Sequence, residues 1–417
     1  MHLHRALSLT LLLSTALPGP VSLAAPTVRQ AVPGSVQLGS VQLGSVQPIP
    51  PGYRKRADLP TLTLTPALPG VRKVEYLSNG FIEVAHVLIM VPATSNRSAL
   101  ALRLAQRAVA GTFTARPELA EVDVSVYVSG QYAGFGGPPP VFTASVPILR
   151  QSAFAQLQIR TLPSYDRAWL ASFTLPIDIS LAKTYEGPEV ASTYVDPAKQ
   201  VQIQRLAQAL SAVGGSSLDN SVFYHGNPAG TQIALTFDDG VHPMYEPLIL
   251  DVLRRTGAKA TFFIVGRNAL AYPYFVRDIA AQGHEVANHT YHHVRLPRLS
   301  DSQIRQELTS TDALLGRLTG QDIRFFRPPG GRFSARVLAG AKREGLTTAM
   351  WTDDPGDFNN IGQVKVENRL LSHIRPSGIV LLHENVPDTI NIMTDFINDA
   401  RASGYQLTTL AQMAGPK

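Results

Sequence analysis

Short apolar runs alternate with helical segments throughout the second half of this chain, from Asn220 onward. Several of the helical segments stop at a glycine, as at Gly257 and Gly283, and glycine is favoured just past helix ends. Strands that alternate with helices form parallel sheets. About seven such units in roughly 190 residues predict an α/β fold, an incomplete (β/α)7-type barrel. The predicted strands occupy residues 231–235, 260–265, 285–287, 323–326, 347–351, 379–382 and 406–409.

Polar side chains suited to catalysis follow five of these strands. In chain order they are Asp238 and Asp239, then residues 289–293, then Arg327, then Asp353, Asp354 and Asp357, and finally His383. Because all strands of a parallel barrel point the same way, these groups share the face where barrel enzymes place their active sites. The opposite rim carries turns that end in glycine. The distribution therefore predicts an active site on one face of the barrel.

Three of these side chains form a candidate metal site. His289 and His293 are four residues apart, so one helical turn would place both imidazoles on the same face. With Asp239 they make a set of two histidines and one carboxylate that leaves coordination positions open for water. His292 is an alternative to His293 at this point. Adjacent side chains of an extended chain point to different sides, so Asp238 can face a substrate while Asp239 binds the ion.

Composition excludes several chemistries and narrows the kind of partner. The chain of 417 residues contains no cysteine, which excludes disulfides, thiolate metal sites and cysteine nucleophiles. The formal net charge of +6 suits an acidic partner such as a cell-envelope polymer. The chain has no dense cluster of lysine and arginine of the kind that binds nucleic acid, so we do not expect nucleic acid as a partner.

The first 60 residues have the features of an exported protein. Residues 1–24 predict a signal peptide, with Arg5 before an apolar stretch at 6–17 that is too short to span a bilayer. An uncleaved anchor is the alternative. Residues 25–60 contain a five-residue repeat, prolines and a short basic cluster, which together indicate a low-complexity linker. No later segment is long and apolar enough to span a membrane, so we expect the mature protein in the periplasm, in the cell wall or outside the cell.

Residues 61–220 predict a separate, smaller α+β domain. Valines alternate with polar residues over residues 121–128, which is typical of a half-buried strand. A loop rich in glycine and proline follows at 130–140. No group of His, Asp and Glu here has the spacing of metal ligands, so we interpret the domain as a structural or binding module of unknown role. Its other predicted elements are strands at 71–76, 81–91 and 141–146 and helices at 98–110 and 198–213.

Residues 221–417 resemble the polysaccharide deacetylases, the NodB-homology carbohydrate esterases of family four. Five motifs carry the resemblance, and they occur in the family's order. They are Thr-Phe-Asp-Asp-Gly at 236–240, Asn-His-Thr-Tyr-His-His at 288–293, Arg-Pro-Pro-Gly-Gly at 327–331, Asp-Pro-Gly-Asp-Phe at 354–358 and Leu-Leu-His at 381–383. The resemblance covers slightly less than half of the chain and implies nothing about residues 61–220.

The resemblance implies a metal-dependent hydrolysis of N-acetyl groups. Asp239, His289 and His293 would hold a divalent ion, which is zinc in the first place, although cobalt, nickel and manganese also serve in the family. The ion would act as Lewis acid and water activator. Asp238 would be the general base that takes a proton from the water, and Arg327 would fix its orientation.

The resemblance also implies an acid and a substrate pocket. His383 would protonate the departing amine, and Asp354 would hydrogen-bond its imidazole and keep it protonated. The backbone N–H of Gly330 would stabilise the oxyanion. Phe358 and Leu381 would form the apolar pocket for the acetyl methyl group.

Two positions depart from the family pattern. Gly330 stands where an aromatic residue is common, so a side chain that would line the groove is missing, whereas the backbone N–H remains. Phe358 stands where tryptophan is usual, which keeps an apolar wall and loses the indole N–H. Neither change removes a predicted metal ligand, acid or base, so we expect activity to survive.

Two functions of different class follow from these observations. The first is an exported polysaccharide N-deacetylase that acts on peptidoglycan, at N-acetylglucosamine or N-acetylmuramic acid. Chitin oligomers, an exopolysaccharide and O-acetylated xylan are further substrates within the family. The second is a carbohydrate-binding or envelope-organising protein with a weak or inactive deacetylase-like module. Asp238 and His383 favour the first, because binding alone needs neither a base nor an acid.

Overall fold

The computed structural model describes residues 59–94, 96–132, 138–171, 222–359 and 361–416, which belong to one compact unit. The predicted signal peptide, the linker up to residue 58 and the predicted helix at 198–213 lie outside the described residues. Residues 133–137 of the glycine- and proline-rich loop also lie outside them.

Within the described residues, every helix is too short or too polar to cross a membrane.

A smaller domain with a mixed five-stranded sheet precedes the barrel. Its strands lie side by side in chain order; β2 and β3 are parallel, whereas the other pairs are antiparallel. The parallel pair requires a crossover, and helix α1 provides it and packs on one face of the sheet. The elements are β1 (Val71–Ser78), β2 (Glu83–Val91), α1 (Arg97–Ala115), β3 (Glu121–Val128), β4 (Phe142–Pro147), α2 (Gln151–Ala155) and β5 (Ala168–Leu170).

The prediction that residues 121–128 form a half-buried strand is wrong about its second face. The valines of β3 pack under α1, but Asp123 and Ser125 on the opposite face are buried as well. That face lies against the C-terminal half of the chain. Ser125 Oγ is 3.0 Å from Tyr272 OH, and on β4 Thr143 Oγ1 donates to the Ala271 carbonyl at 2.5 Å. The alternation of polar residues therefore marks a polar interface and not a solvated surface.

The C-terminal half is a parallel half-barrel. Its main sheet has the order β12-β7-β8-β9-β10-β11-β6, with β13 beside the start of β7, and every pairing in it is parallel. The strands are β6 (Val222–Phe223), β7 (Gln232–Gly240), β8 (Thr261–Ile264), β9 (Glu285–Asn288), β10 (Phe325–Phe326), β11 (Thr347–Ala349), β12 (Ile379–His383) and β13 (Gln406–Thr408).

Helices cover the outside of this half-barrel. They are α3 (Tyr245–Thr256), α4 (Gly266–Ala271), α5 (Pro273–Ala281), α6 (Asp301–Thr319), α7 (Ala335–Arg343), α8 (Gln363–His373) and α9 (Pro387–Ala402). The last helix, α10 (Leu410–Ala414), instead packs Leu410 and Met413 against the interior of the barrel. One apolar layer lies between the strands and the helices, and a second layer, with Phe263, Phe325 and Leu381, fills the inside of the barrel. The interior is thus a packed core, and only the strand ends are available for a site.

All seven predicted barrel strands are present, and two features differ from the prediction. The short strand β6 was not predicted, because two residues carry no detectable periodicity. The helical segment predicted to stop at Gly283 is two helices, α4 and α5, with Tyr272 between them at φ −128° and ψ 53°. Pro273 starts the second helix, and the residue before a proline is disfavoured in helical conformation.

Candidate active site

The predicted metal ligands meet at the carboxyl ends of β7 and β9. Asp239 lies near the end of β7, and its Oδ1 is 3.1 Å from His293 Nε2 and 3.5 Å from His289 Nε2. One ligand atom from each residue lies within 4.8 Å of the other two. All three side chains are buried. The arrangement is that of a three-ligand site for a divalent cation with positions left open.

The two histidines converge through a tight turn and not through a helix, so the predicted helical turn is wrong. Thr290 and His293 have positive φ values of 63° and 57°, which no helix contains. Thr290 Oγ1 accepts a hydrogen bond from His293 N at 3.0 Å and holds the turn closed. His292 points away from the site, because its Nδ1 lies 2.6 Å from Glu307 Oε1. Of the two alternatives, the structure therefore brings His293 and not His292 to Asp239.

The donor set fits a metal ion. His289 Nδ1 donates to the Arg327 carbonyl at 2.8 Å, which leaves the lone pair of Nε2 available to a cation. His289 Nε2 and Asp239 Oδ2 are buried without a hydrogen-bond partner. Burial by itself raises the pKa of Asp239, but the imidazoles of His293 and His289 outweigh it and hold that pKa well below its usual value. A buried carboxylate with an unpartnered oxygen is costly unless a cation is bound.

Asp238 is held beside this site by Arg327. The guanidinium donates from Nη1 to Asp238 Oδ1 at 2.6 Å and to Thr236 Oγ1 at 2.9 Å. Its other nitrogens donate to the carbonyls of Ala349 and Met350, so the fully buried arginine is fixed on all sides. The second oxygen of Asp238, Oδ2, lies 3.8 Å from His289 Nε2. One carboxylate oxygen is therefore anchored, and the other faces the candidate metal ligands.

The partner of His383 is Asp357, and the prediction of Asp354 for this position is wrong. His383 Nδ1 donates to Asp357 Oδ1 at 2.9 Å, and Asp357 Oδ2 accepts from His383 N and Thr389 Oγ1, both at 2.7 Å. Asp354 Oδ1 instead accepts from Gly356 N at 2.9 Å and closes the turn that leads to Asp357. Both aspartates belong to the fourth motif, so only the direction of the turn distinguishes them.

Asp357 determines the protonation of His383. Burial alone would lower the pKa of this imidazole, but the charge of Asp357 and its hydrogen bond outweigh burial. The more distant carboxylates of Asp239 and Asp238 act in the same direction, and together they raise the pKa of His383 to about 10. The imidazole is therefore protonated at neutral pH.

Of the predicted pocket residues, Phe358 lies against this imidazole. The Phe358 ring is 5.0 Å from the His383 ring, centroid to centroid. Leu381 is buried two residues before His383 on β12. Gly330 lies in the turn directly after Arg327, with φ 61°. The next residue, Gly331, also has positive φ, and a Cβ there would lie 2.7 Å from the Trp351 ring, so position 331 packs too closely against Trp351 for a side chain.

Glu246 and Glu384 form a buried pair that sequence reasoning did not identify. Glu384 N donates to the Asp238 carbonyl at 3.1 Å, and the Glu384 side chain accepts from His242 N. Burial raises the pKa of Glu384 to about 7 and that of Glu246 well above its usual value. The pair supports the loop after Gly240, where a Cβ would overlap the Glu384 carboxyl. Nothing in the spacing of residues 246 and 384 indicates their contact.

Comparison with known proteins points to the same region. The family model described as polysaccharide deacetylase matches residues 225–349. A peptidoglycan-N-acetylglucosamine deacetylase of Bacillus cereus is 32% identical over 186 residues, which are 43% of this chain and 87% of that protein. A chitooligosaccharide deacetylase of a Bradyrhizobium strain is 38% identical over 205 residues, or 45% of this chain and 94% of that protein.

A third relative has a different named substrate. The peptidoglycan-N-acetylmuramic acid deacetylase PdaA of Bacillus subtilis is 33% identical over 192 residues, which are 45% of this chain and 73% of that protein. These three relatives cover less than half of this chain, but they are themselves covered over most of their length.

Proposed function

Because the C-terminal half of this chain belongs to the polysaccharide deacetylase family, carbohydrate esterase family 4, we propose that the protein is an exported, metal-dependent enzyme that removes acetyl groups from an N-acetylated amino-sugar polymer. The observation that carries the proposal is the buried set of Asp239, His289 and His293 beside Asp238 and His383. A site that only bound carbohydrate would need neither the anchored carboxylate nor the protonated imidazole.

Asp239, His289 and His293 are the ligands for the cation, with zinc as the first expectation and cobalt, nickel or manganese as substitutes. The chemistry that such a cation supplies is Lewis-acid polarisation of a carbonyl and a lowered pKa for water. His289 is oriented for this task by the Arg327 carbonyl on its Nδ1. Such hydrogen bonds to the far nitrogen of a ligating histidine set its tautomer and orientation.

Asp238 is the general base. Its Oδ1 is occupied by Arg327, and Oδ2 on the side of His289 accepts the proton of the attacking water. The arginine prevents the carboxylate from rotating, so the free oxygen is presented in one orientation. The backbone N–H of Gly330, in the turn after Arg327, is assigned to the oxyanion that forms on the substrate.

His383 is the general acid. It begins the reaction protonated, because Asp357 raises its pKa, and it gives a proton to the departing amine nitrogen as the carbon–nitrogen bond breaks. Phe358 and Leu381 beside it are assigned to the acetyl methyl group. The products are acetate and a free amino sugar.

Peptidoglycan is the proposed substrate. Two of the relatives are named for its deacetylation, and the predicted export signal and the net charge of +6 suit a wall polymer. The test is acetate release from peptidoglycan and, in parallel, from N-acetylglucosamine oligomers, each with added zinc or cobalt and with chelator. We expect metal-dependent release that is faster from peptidoglycan. Release from the oligomers alone would assign a chitin-like substrate, and no release with metal bound would contradict the proposal.

The alkaline limit of activity tests the assignment of Asp357. Because the acid must be protonated, activity falls as pH rises through the pKa of His383. Asp357→Asn removes the charge that raises this pKa, and burial then lowers it, so the alkaline limb should move to lower pH by one unit or more, as about 1.4 kcal/mol of lost interaction would give. Asp354→Asn is the matched control and should leave the limb in place. The measurement is kcat/KM against pH for the three proteins.

The same pair contributes stability with a defined pH dependence. The folded-state pKa of His383, about 10, lies above its ordinary value of 6.5. The contribution of this pair to the free energy of unfolding is therefore complete below pH 6.5 and is lost as pH rises through 10.

In the profiles of kcat/KM against pH, an alkaline limb that shifts in Asp354→Asn and not in Asp357→Asn would contradict the assignment of Asp357 as the partner of His383 and of Asp354 as the residue that closes the turn.

A further inference from the structure

The loop after the first motif is held by the N-terminal domain. Residues 241–244 connect Gly240, which follows the metal ligand Asp239, to helix α3. The barrel side of this loop is fixed by Glu384, which accepts from His242 N. The other side is fixed by Asp123 of strand β3, whose Oδ2 accepts from Met244 N at 2.8 Å. The two domains thus hold opposite sides of one short loop.

Met244 needs this acceptor. It is the residue that precedes α3, and an N–H at a helix start has no partner within the helix. It has a φ of 74°, an uncommon conformation for a residue with a side chain, and it is almost completely buried. Because Met244 and Asp123 are both buried, loss of the carboxyl would remove the acceptor from a buried donor.

Asp123 itself is fully buried and faces the barrel. Burial and the neighbouring Glu121 raise its pKa well above the usual value, with the Met244 N–H and Arg167 acting against them. A second side chain of the same domain reaches the loop. The His86 ring lies edge-on to the His242 ring, with 6.3 Å between the ring centroids. Side chains of both β2 and β3 therefore contact the loop.

On the basis of the proposed function, we propose that Asp123 is a positioning residue of the metal site, through which the N-terminal domain sets the place of the loop that follows Asp239. Asp239 is the single carboxylate among the proposed ligands, and the anchored Met244 is five residues away from it. Sites of this kind lose metal affinity and rate when their support moves by a fraction of an ångström to an ångström.

The rest of the interface provides a matched control. Thr143, on the neighbouring strand β4, donates to the Ala271 carbonyl at the end of α4 and not to the loop. Thr143 is as buried as Asp123. Thr143→Val removes one buried hydrogen bond across the same interface and keeps the side-chain volume. It therefore measures what loosening the two domains does by itself.

The experiment compares wild type with Asp123→Ala, Asp123→Asn and Thr143→Val in the full mature protein. The zinc dissociation constant is measured by competition with a chromophoric chelator, without substrate, and kcat, KM and Tm are measured separately. We expect Asp123→Ala to weaken zinc binding by roughly tenfold and to lower kcat with little change in KM. Asp123→Asn should retain both values, because its amide oxygen accepts from Met244 N. Thr143→Val should lower only Tm.

Zinc affinity and kcat that stay at wild-type values in Asp123→Ala, with only Tm reduced, would overturn the proposal. If Asp123→Ala does not fold, Asp123→Leu keeps the branching and the number of side-chain heavy atoms without the acceptor, and the rise in Tm on adding zinc reports affinity even in a destabilised protein. An equal rise in wild type and variant would likewise overturn it. Wild type that binds zinc and releases no acetate would contradict the proposed function and leave the positioning of the metal site to be judged by affinity alone.

Discussion

Asp238→Asn should lower kcat for acetate release by roughly 10²–10⁴-fold while zinc remains bound. Asparagine has the shape of aspartate, and its amide oxygen can still accept from Arg327 Nη1, which in the native protein lies 2.6 Å from Oδ1. The asparagine amide cannot take a proton from water, so the variant loses the general base and keeps the hydrogen bond from Arg327. The three proposed ligands are unchanged, so the metal content should stay at the wild-type level.

The matched control is the same substitution outside the site. Asp251 is also largely buried and is paired with Arg254 and Arg255 on α3. Asp251→Asn should reduce stability and leave kcat near the wild-type value. Acetate release by Asp238→Asn at more than about a tenth of the wild-type rate would exclude Asp238 as the base.

His293→Gln should abolish both zinc retention and acetate release. The variant loses the imidazole whose Nε2 is 3.1 Å from Asp239 Oδ1, which leaves two proposed ligands. Removing groups that merely orient ligands costs about 10–100-fold in metal affinity, so loss of a ligand should cost more than that. The measurement is zinc content after dialysis together with kcat for acetate release.

The neighbouring histidine is the control. His292→Gln alters the same turn, but the side chain that it replaces faces away from the metal ligands. His292 Nδ1 lies 2.6 Å from Glu307 Oε1. It should retain zinc and most of kcat, with some loss of stability from the broken buried pair. Retention of zinc by His293→Gln together with its loss from His292→Gln would reverse the assignment of the two histidines.

Most of the barrel could be predicted because its signals are local. Each predicted strand spans a few residues whose apolar pattern and flanking residues are visible in the chain, and all seven are present. The polar residues that follow the strands had to meet on one face, because parallel strands share a direction. The same reasoning placed Asp239, His289 and His293 together without their exact arrangement.

The wrong predictions concern positions where a backbone turn or a contact with a distant residue determines which side chains meet. Asp354 and Asp357 are three residues apart in one motif, and only the turn closed by Asp354 on Gly356 N directs Asp357 to His383. The pair His289 and His293 has helical spacing but lies in a turn with two positive φ values. In both cases the residue types were correct, and the local geometry was not encoded in their spacing.

The sequence by itself determined the α/β class, the set of chemical groups and the family resemblance in residues 221–417, since these depend on residue type and order. Only the tertiary structure decided that β3 is buried on both faces, that Glu246 meets Glu384 and that Asp123 holds Met244, 121 residues further along the chain. Periodicity records which face of a single element is apolar. It does not record which other element covers the remaining face, because that depends on how two folded sheets pack against each other.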